Sequence, residues 1–426
     1  MLTTLRNAWR VPEIRKKILY TLMILFLYRL GGYVPVPGLN IAYLQSQVGN
    51  YDLLGLLNLM SGGQLGDFTI FALGVGPYIT SSIIMQLLSV AIPALERLSK
   101  EGGEEGRKKI QKITRYVTIG LAMLESMGII LSLGSVSNVL ISVGLPHWLQ
   151  FFIIGVTLTA GSCLVMWMGE RITEKGIGNG ISLIIFTGIA SSLPMAIGRY
   201  GQLLAADAIS FWIVPMIVVG ILLMIVGITF VDMGQRRVPV QYAKRVVGRK
   251  MYGGQSTHIP LRINNAGVLP LIFAMSLSSF PHLIMQAFFP SSSFFAWYQR
   301  YLGTGTWAYM IIYAMLIVFF AYFSNSMSFD PVEMSKNMQQ YGGFVPGIRP
   351  GRPTADYIRK ISNRLTLFGA IFLMAVAIVP TAFTATTGMQ SMFGPTSILI
   401  LVSVALETSK QLEAQLLARH YRGFLK

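Results

Sequence analysis

The chain has 426 residues, of which 53% are hydrophobic and 12% charged, with a formal net charge of +17. An ordinary soluble domain is about 25% charged, so the composition excludes that class and indicates a multi-span membrane protein. A single cysteine, Cys163, lies in an apolar run and excludes an internal disulfide framework.

In chain order, the first thirty residues place basic side chains before an apolar run, as a signal peptide does. The run continues through Arg29 and two glycines into a proline-containing loop without a small-residue cleavage site, and reads as a retained first span. A bilayer crossing takes roughly 20 apolar residues. Windows of that length fall at 17–34, 69–92, 113–133, 148–169, 178–198, 209–231, 265–289, 306–327, 364–384 and 395–416. Ten spans are therefore expected. Residues 55–88 are unusual: about two turns of apolar helix, then Ser61-Gly62-Gly63, then an apolar run interrupted by Gly74, Gly76 and Pro77. The first piece is too short to cross. Broken helix at membrane depth is tolerated only where protein packs it or a cavity wets it, so a short helix folded into a pore mouth is expected.

Cytoplasmic loops of membrane proteins collect Lys and Arg. Of the 34 such residues, all but Arg29, Arg199 and Arg300 lie before span 1, after spans 2, 4, 6, 8 and 10, or at the adjoining span ends. Both termini are thus expected in the cytoplasm. Two loops on that side, about 232–264 and 328–363, are long and basic beyond what orientation requires. The alternation of RRVPVQYAKRV, with Gly253-Gly254 before QSTHIPLRI, predicts a projecting twisted hairpin. FVPGIRPGRPT presents Arg349 and Arg352 in a turn-rich setting. Ten spans divide into halves of five, at 1–200 and 201–426. An odd number per half makes any duplication inverted, the arrangement of many transport folds.

No G-x-x-x-x-G-K-[ST] phosphate loop is present. Gly176-Ile-Gly178-Asn-Gly180 is better suited to a tight helix start than to a dinucleotide, and the four histidines show no metal-ligand spacing. Ionisable residues inside spans are costly and usually functional. Arg29 lies near an outer end, where snorkelling is the simpler reading. Glu125 fits an ion site, a polar helix contact, or a protonated acid facing a water-filled cavity. Several spans place β-branched aliphatics beside small or polar residues: Val75, Ile79, Ile181, Ile185, Ile272 and Ile400. These suit plain packing or a constriction that excludes water by dewetting.

The strings SGGQLGDFTIFALGVGPYITSSIIMQLL, ERLSKEGGEEGRKKIQKITRY, WMGERITEKGIGNGISLIIF, GQRRVPVQYAKRVVGRKMYGGQSTHIPL and GGFVPGIRPGRPT closely resemble the bacterial SecY family of protein-conducting channels, in order along essentially the whole chain. The resemblance implies an all-α membrane fold of ten helices in two inverted, pseudo-symmetric halves, in a multi-pass protein of the bacterial plasma membrane. It implies a non-enzymatic channel without cofactor or metal, passing unfolded secretory polypeptides across the membrane and hydrophobic segments sideways into lipid. Residues about 55–67 would be a plug, with Gly55, Leu56, Leu57, Asn58, Leu59, Met60, Ser61, Gly62 and Gly63 at its heart. Val75, Ile79, Ile181, Ile185, Ile272 and Ile400 would form the pore ring. Spans 2 and 7, with 3 and 8, would form a lateral gate carrying Thr80, Gln86, Glu125 and Asn264. Glu125 stands where some relatives have glutamine, so it is expected to be protonated or hydrogen-bonded to a gate partner. Arg237, Arg249 and Arg349 match positions that engage the SecA motor or the ribosome. SecE-like and SecG-like small membrane subunits, signal peptides, nascent polypeptides and the lipid bilayer complete the implied partners. Two other readings remain: an ion-coupled transporter, which needs a compact polar site, and an insertase-like protein without an aqueous pore.

Overall fold

In hydrocarbon a chain must satisfy its backbone hydrogen bonds internally, and this one does so with helices. The computed structural model describes residues 2–40, 64, 68–100, 102–134, 146–205, 212–242, 245–247, 250–252, 256–264, 267–289, 292–303, 306–387 and 395–423. The elements run α1 (Leu2–Arg10), α2 (Pro12–Gly31), α3 (Gly76–Ala91), α4 (Pro93–Lys100), α5 (Gly103–Gly134), α6 (His147–Lys175), α7 (Gly180–Ala205) and α8 (Ile213–Met233). Strands β1 (Gln235–Tyr242), β2 (Arg245–Val247), β3 (Lys250–Tyr252) and β4 (Ser256–Arg262) follow. Next come α9 (Leu269–Phe288), α10 (Ser293–Leu302), α11 (Trp307–Ser328), α12 (Pro331–Gln340), β5 (Gly343–Phe344), α13 (Arg352–Thr387) and α14 (Pro395–Gly423).

Helices α2, α3, α5, α6, α7, α8, α9, α11, α13 and α14 overlap the ten expected windows one for one. Among the described residues, four are long and apolar enough to cross a membrane on length and composition alone, and the bent pair α3–α4 would be a fifth. Of the others, α7 is interrupted by Pro194, and the 29-residue α14 carries charged residues through its second half.

The second span departs most from expectation. Hydropathy predicts it over 69–92, but α3 holds only 16 residues. At 1.5 Å per residue that is about 24 Å, short of the roughly 30 Å hydrocarbon core. Residues 68–75 instead form turns. Val36 N–H donates to Phe68 O at 3.0 Å and Ile70 N–H to Val34 O at 2.9 Å. Gly74 adopts φ +53°, and its carbonyl accepts from Ser162 Oγ at 3.2 Å. Gly161 makes the approach possible, since a Cβ there would collide with the Ile70 carbonyl. At the other end Ile92 is extended, Pro93 follows, and α4 leaves at 105°. A proline cannot accept its place inside a continuing helix without losing a backbone bond.

Helices α5 and α13 start about three turns before their predicted windows. Hydropathy stops at the first charges, whereas GEEGRKKIQKITRY propagates helix well, and Glu104 and Glu105 in the first turn favour the helix dipole. The long loops are likewise more ordered than predicted. β1 pairs antiparallel with β4, Val238 opposite Ile259, giving the expected hairpin, while β5 pairs on its other edge through Gln241–Phe344. Val238, Val240, Leu261, Met338, Val345 and Ile358 form a separate core. The two loops are one packed unit.

Within the bundle, α2, α3, α5, α6 and α7 pack among themselves, as do α8, α9, α11, α13 and α14. The sets meet where α9 lies on α3 and α5, and where α14 lies on α7 and α1. A single large apolar core runs between them.

Gly161→Ala is expected to force α6 away from the 68–75 turn, costing about 1–3 kcal/mol as overpacking. The check is the thermal midpoint of the detergent-solubilised protein, which should fall; an unchanged midpoint would show that the turn does not rest on α6.

Candidate pore constriction and gate

Val75 caps α3 and Ile79 follows one turn later, so both share a face. Ile185 comes from α7, Ile272 from the first turn of α9 and Ile400 from the first turns of α14. All five are buried in the large core between the helix sets. Residues from four spans thus meet in one apolar region with almost no water access. Ile181 is placed differently. It is half-buried at the edge of this core and abuts Gly169 of α6, where a Cβ would collide with its Cδ1. Ile184 and Ile189, not singled out from the sequence, are fully buried in the same core.

The predicted plug residues 55–63 lie outside the described residues, as does Arg249. Of the wider plug range only Gln64 is described. It is buried, its side chain lies against Gly32, and its carbonyl accepts from Thr69 N–H at 3.1 Å.

The four predicted gate residues are not joined by hydrogen bonds among the described residues. Thr80 Oγ1 donates to Gly76 O at 3.2 Å and Gln86 Nε2 to Ser82 Oγ at 3.3 Å, both within α3. Glu125 sits half-buried on α5, which packs against α3 and α9. Asn264 precedes α9 in a turn, and its Nδ2 donates to Asp232 Oδ1 at 2.7 Å. That carboxylate also accepts from Ser403 Oγ of α14 at 2.5 Å, and the Asp232 carbonyl accepts from Lys410 Nζ at 3.0 Å. Asn264 therefore ties the hairpin root to α8 and α14, within its own helix set.

A second polar tie was missed. Buried Glu170 of α6 receives Arg115 of α5, Nε to Oε1 at 3.0 Å and Nη2 to Oε2 at 2.8 Å, with Gln111 Nε2 donating to Oε1 at 3.2 Å. Bidentate guanidinium–carboxylate pairing is strong and directional. Partners 55 residues apart leave no local signal, and Glu170 had been placed just past the fourth window. Arg29 lies over the Tyr33 ring at 5.5 Å from its centroid, at the helix end where snorkelling was expected. Arg237 and Arg349 are both exposed, on β1 and on the turn between β5 and α13 of the joined loop unit. Gly347 and Gly351, with φ of +81° and +94°, shape that turn, and the Arg349 carbonyl accepts from Thr354 Oγ1 at 2.8 Å.

Two five-helix sets closing on an apolar core, with a shortened second span and a strand hairpin joined to the second long loop, are the architecture of the protein-conducting channels among membrane proteins. Solved structures agree. One described as "The structure of a protein conducting channel" superposes with a TM-score of 0.70 at 19% identity, covering 94% of this chain and 92% of that one. Another, described as Sec61 in the canine ribosome-channel complex, superposes with a TM-score of 0.65 at 18% identity, covering 94% and 92%. The sequence model of the SecY family matches residues 69–409. The "Protein translocase subunit SecY" of Streptomyces galbus is 47% identical over 442 residues, spanning 100% of both chains. That of Mycobacterium tuberculosis H37Rv is 44% identical over 448 residues, also spanning 100% of both. The chain belongs to the SecY family. It is a multi-pass membrane protein and the channel subunit of a Sec protein translocase.

Glu170→Gln keeps the shape of the α5–α6 joint but removes its charge pairing. Hydrogen bonds to charged groups contribute about 1.5–3 kcal/mol, so the thermal midpoint in detergent should drop; a midpoint equal to the unaltered protein's would mean the pair does not hold these helices together.

Proposed function

We propose that the chain is a passive, gated pore through which unfolded secretory polypeptides cross the bacterial plasma membrane and from which hydrophobic segments leave sideways into lipid. The burial of Val75, Ile79, Ile185, Ile272 and Ile400 in one core, drawn from four spans of both helix sets, carries this reading. An aliphatic constriction excludes water and ions by dewetting without selecting for side-chain chemistry, which suits a substrate of varied sequence. Ile189 joins the ring from α7, and Ile181 lies at its margin. Halves 1–200 and 201–426 part along α9 against α3 and α5, the seam that serves as the lateral gate. Thr80, Gln86 and Glu125 line it, while Asn264 braces α9 from behind through Asp232. Residues 55–63 plug the outer side.

Movement comes from outside the chain, from a SecA-type motor or the ribosome, and the chain itself catalyses no covalent step. Both termini lie in the cytoplasm. The neighbour described in a ribosome-channel complex supports ribosome docking. Arg237 and Arg349 on the joined loop unit take this role together with Arg249, arginine being suited to bidentate pairing with carboxylate or phosphate. SecE-like and SecG-like subunits accompany the channel, and signal peptides open it by replacing gate contacts.

Replacing Ile79, Ile185, Ile272 and Ile400 together with serine should open a resting ion leak in proteoliposomes that the unaltered protein lacks. Tight vesicles containing correctly inserted variant would rule out this constriction. Arg349→Glu should lower SecA-driven transport and preprotein-stimulated ATPase while insertion stays normal; unchanged values of both would remove Arg349 from the docking surface.

A further inference from the structure

Helix α10 is strung between spans α9 and α11 at the membrane face opposite the hairpin, and none of its residues is buried. Its two sides differ. Phe295 and Tyr298 pack on His282 of α9, with ring centroids 5.6 and 6.1 Å apart. On the adjoining face Phe294, Trp297 and Tyr301 form a continuous row, with centroid separations of 5.8 and 5.7 Å. These three rings are 60%, 49% and 52% exposed. The Arg300 guanidinium lies 5.9 Å from the Tyr301 centroid. The row leads into α11, where Trp307, Ile311, Met315 and Phe319 recur every four residues and are all exposed. That spacing is one helix face, an exposed apolar stripe on a spanning helix. Other exposed aromatics mark the same end of the bundle: Tyr33 after α2, Trp148 at the start of α6 and Trp212 before α8.

Trp and Tyr concentrate at membrane–water interfaces, where an apolar ring and a polar tip each find their solvent. A short helix with aromatics on one side and a basic residue lies in that plane, its apolar side about 5–10 Å into the boundary. We propose that α10 is an interfacial helix whose Phe294, Trp297 and Tyr301 insert into the bilayer between headgroups and acyl chains, with Arg300 pairing to a phospholipid phosphate. Its inner side grips His282, so the lipid surface holds the far end of α9, the gate helix. The occupant is phospholipid because α10 is followed at once by the spanning helix α11, whose exposed face Trp307, Ile311, Met315 and Phe319 is apolar. Assignment to the outer leaflet rests on the topology proposed above; insertion itself does not.

The test uses the full chain in vesicles with Trp297 as its only tryptophan, through Trp9→Phe, Trp148→Phe, Trp167→Phe, Trp212→Phe and Trp307→Phe. Phosphatidylcholine and phosphatidylglycerol brominated on both leaflets, near either the glycerol or the methyl end of the acyl chain, supply the quencher. Trp297 emission should be largely lost with bromine near the glycerol end, less with bromine near the methyl end, and aqueous acrylamide should quench it weakly. Strong acrylamide quenching without bromine quenching would overturn the proposal. So would protection from both quenchers, which would assign the row to a protein partner. Bromine on both leaflets keeps the result independent of sidedness, so an inverted topology leaves the insertion test intact. If the single-tryptophan protein does not assemble, a phospholipid with a diazirine near the glycerol end is used with the unaltered chain. It should label the peptide 293–302; no label there overturns the proposal equally.

Discussion

The structure depends on an apolar seam that must be tight without being fastened. Two sets of helices close on each other through aliphatic side chains, among them Val75, Ile79, Ile185, Ile272 and Ile400. Each dispersion contact is small, and the sum is large only while the surfaces fit. In the proposed reading such a seam excludes water by dewetting and parts with little loss of directional bonding. A channel that opens for chains of any sequence needs both properties.

The polar ties described above are arranged to suit that seam. Arg115 and Gln111 hold Glu170 between α5 and α6, inside the first set. Asn264, Ser403 and Lys410 gather on Asp232, inside the second. Ser162 and Gly161 seat the turn before α3 on α6. These directional bonds lie within each set, and α9 meets α3 and α5 beside the large apolar core. The joined loop unit adds a small core of its own, and its paired strands β1 and β4 run to the roots of α8 and α9.

The site was legible in the sequence where the signal was local. β-branched residues four apart, as at Val75 and Ile79, mark a helix face, and alternating valines in RRVPVQY mark a strand. Hydropathy located every span, yet it misjudged where helices end. It ran the second span through residues 69–75, because those residues are apolar, although Gly74 and the fit against Gly161 turn them out of the helix. It cut α5 and α13 short, because charged residues continue a helix as readily as they end a membrane window. Resemblance alone assigns Asn264 to the gate. Its bond to Asp232, 32 positions away, is visible only once α8 and the hairpin have folded back together.

Composition, the alternation of basic loops and the apolar windows were enough to establish by themselves a ten-span membrane protein with two long basic loops. These are properties of transfer between water and lipid, which each segment expresses independently of the others. Tertiary structure alone decided which side chains share a core, that Ile181 turns to α6, that the two loops make one body, and that the carboxylates of Glu170 and Asp232 fasten helices within a set. Those outcomes depend on distances between segments far apart in the chain, and no local pattern carries them.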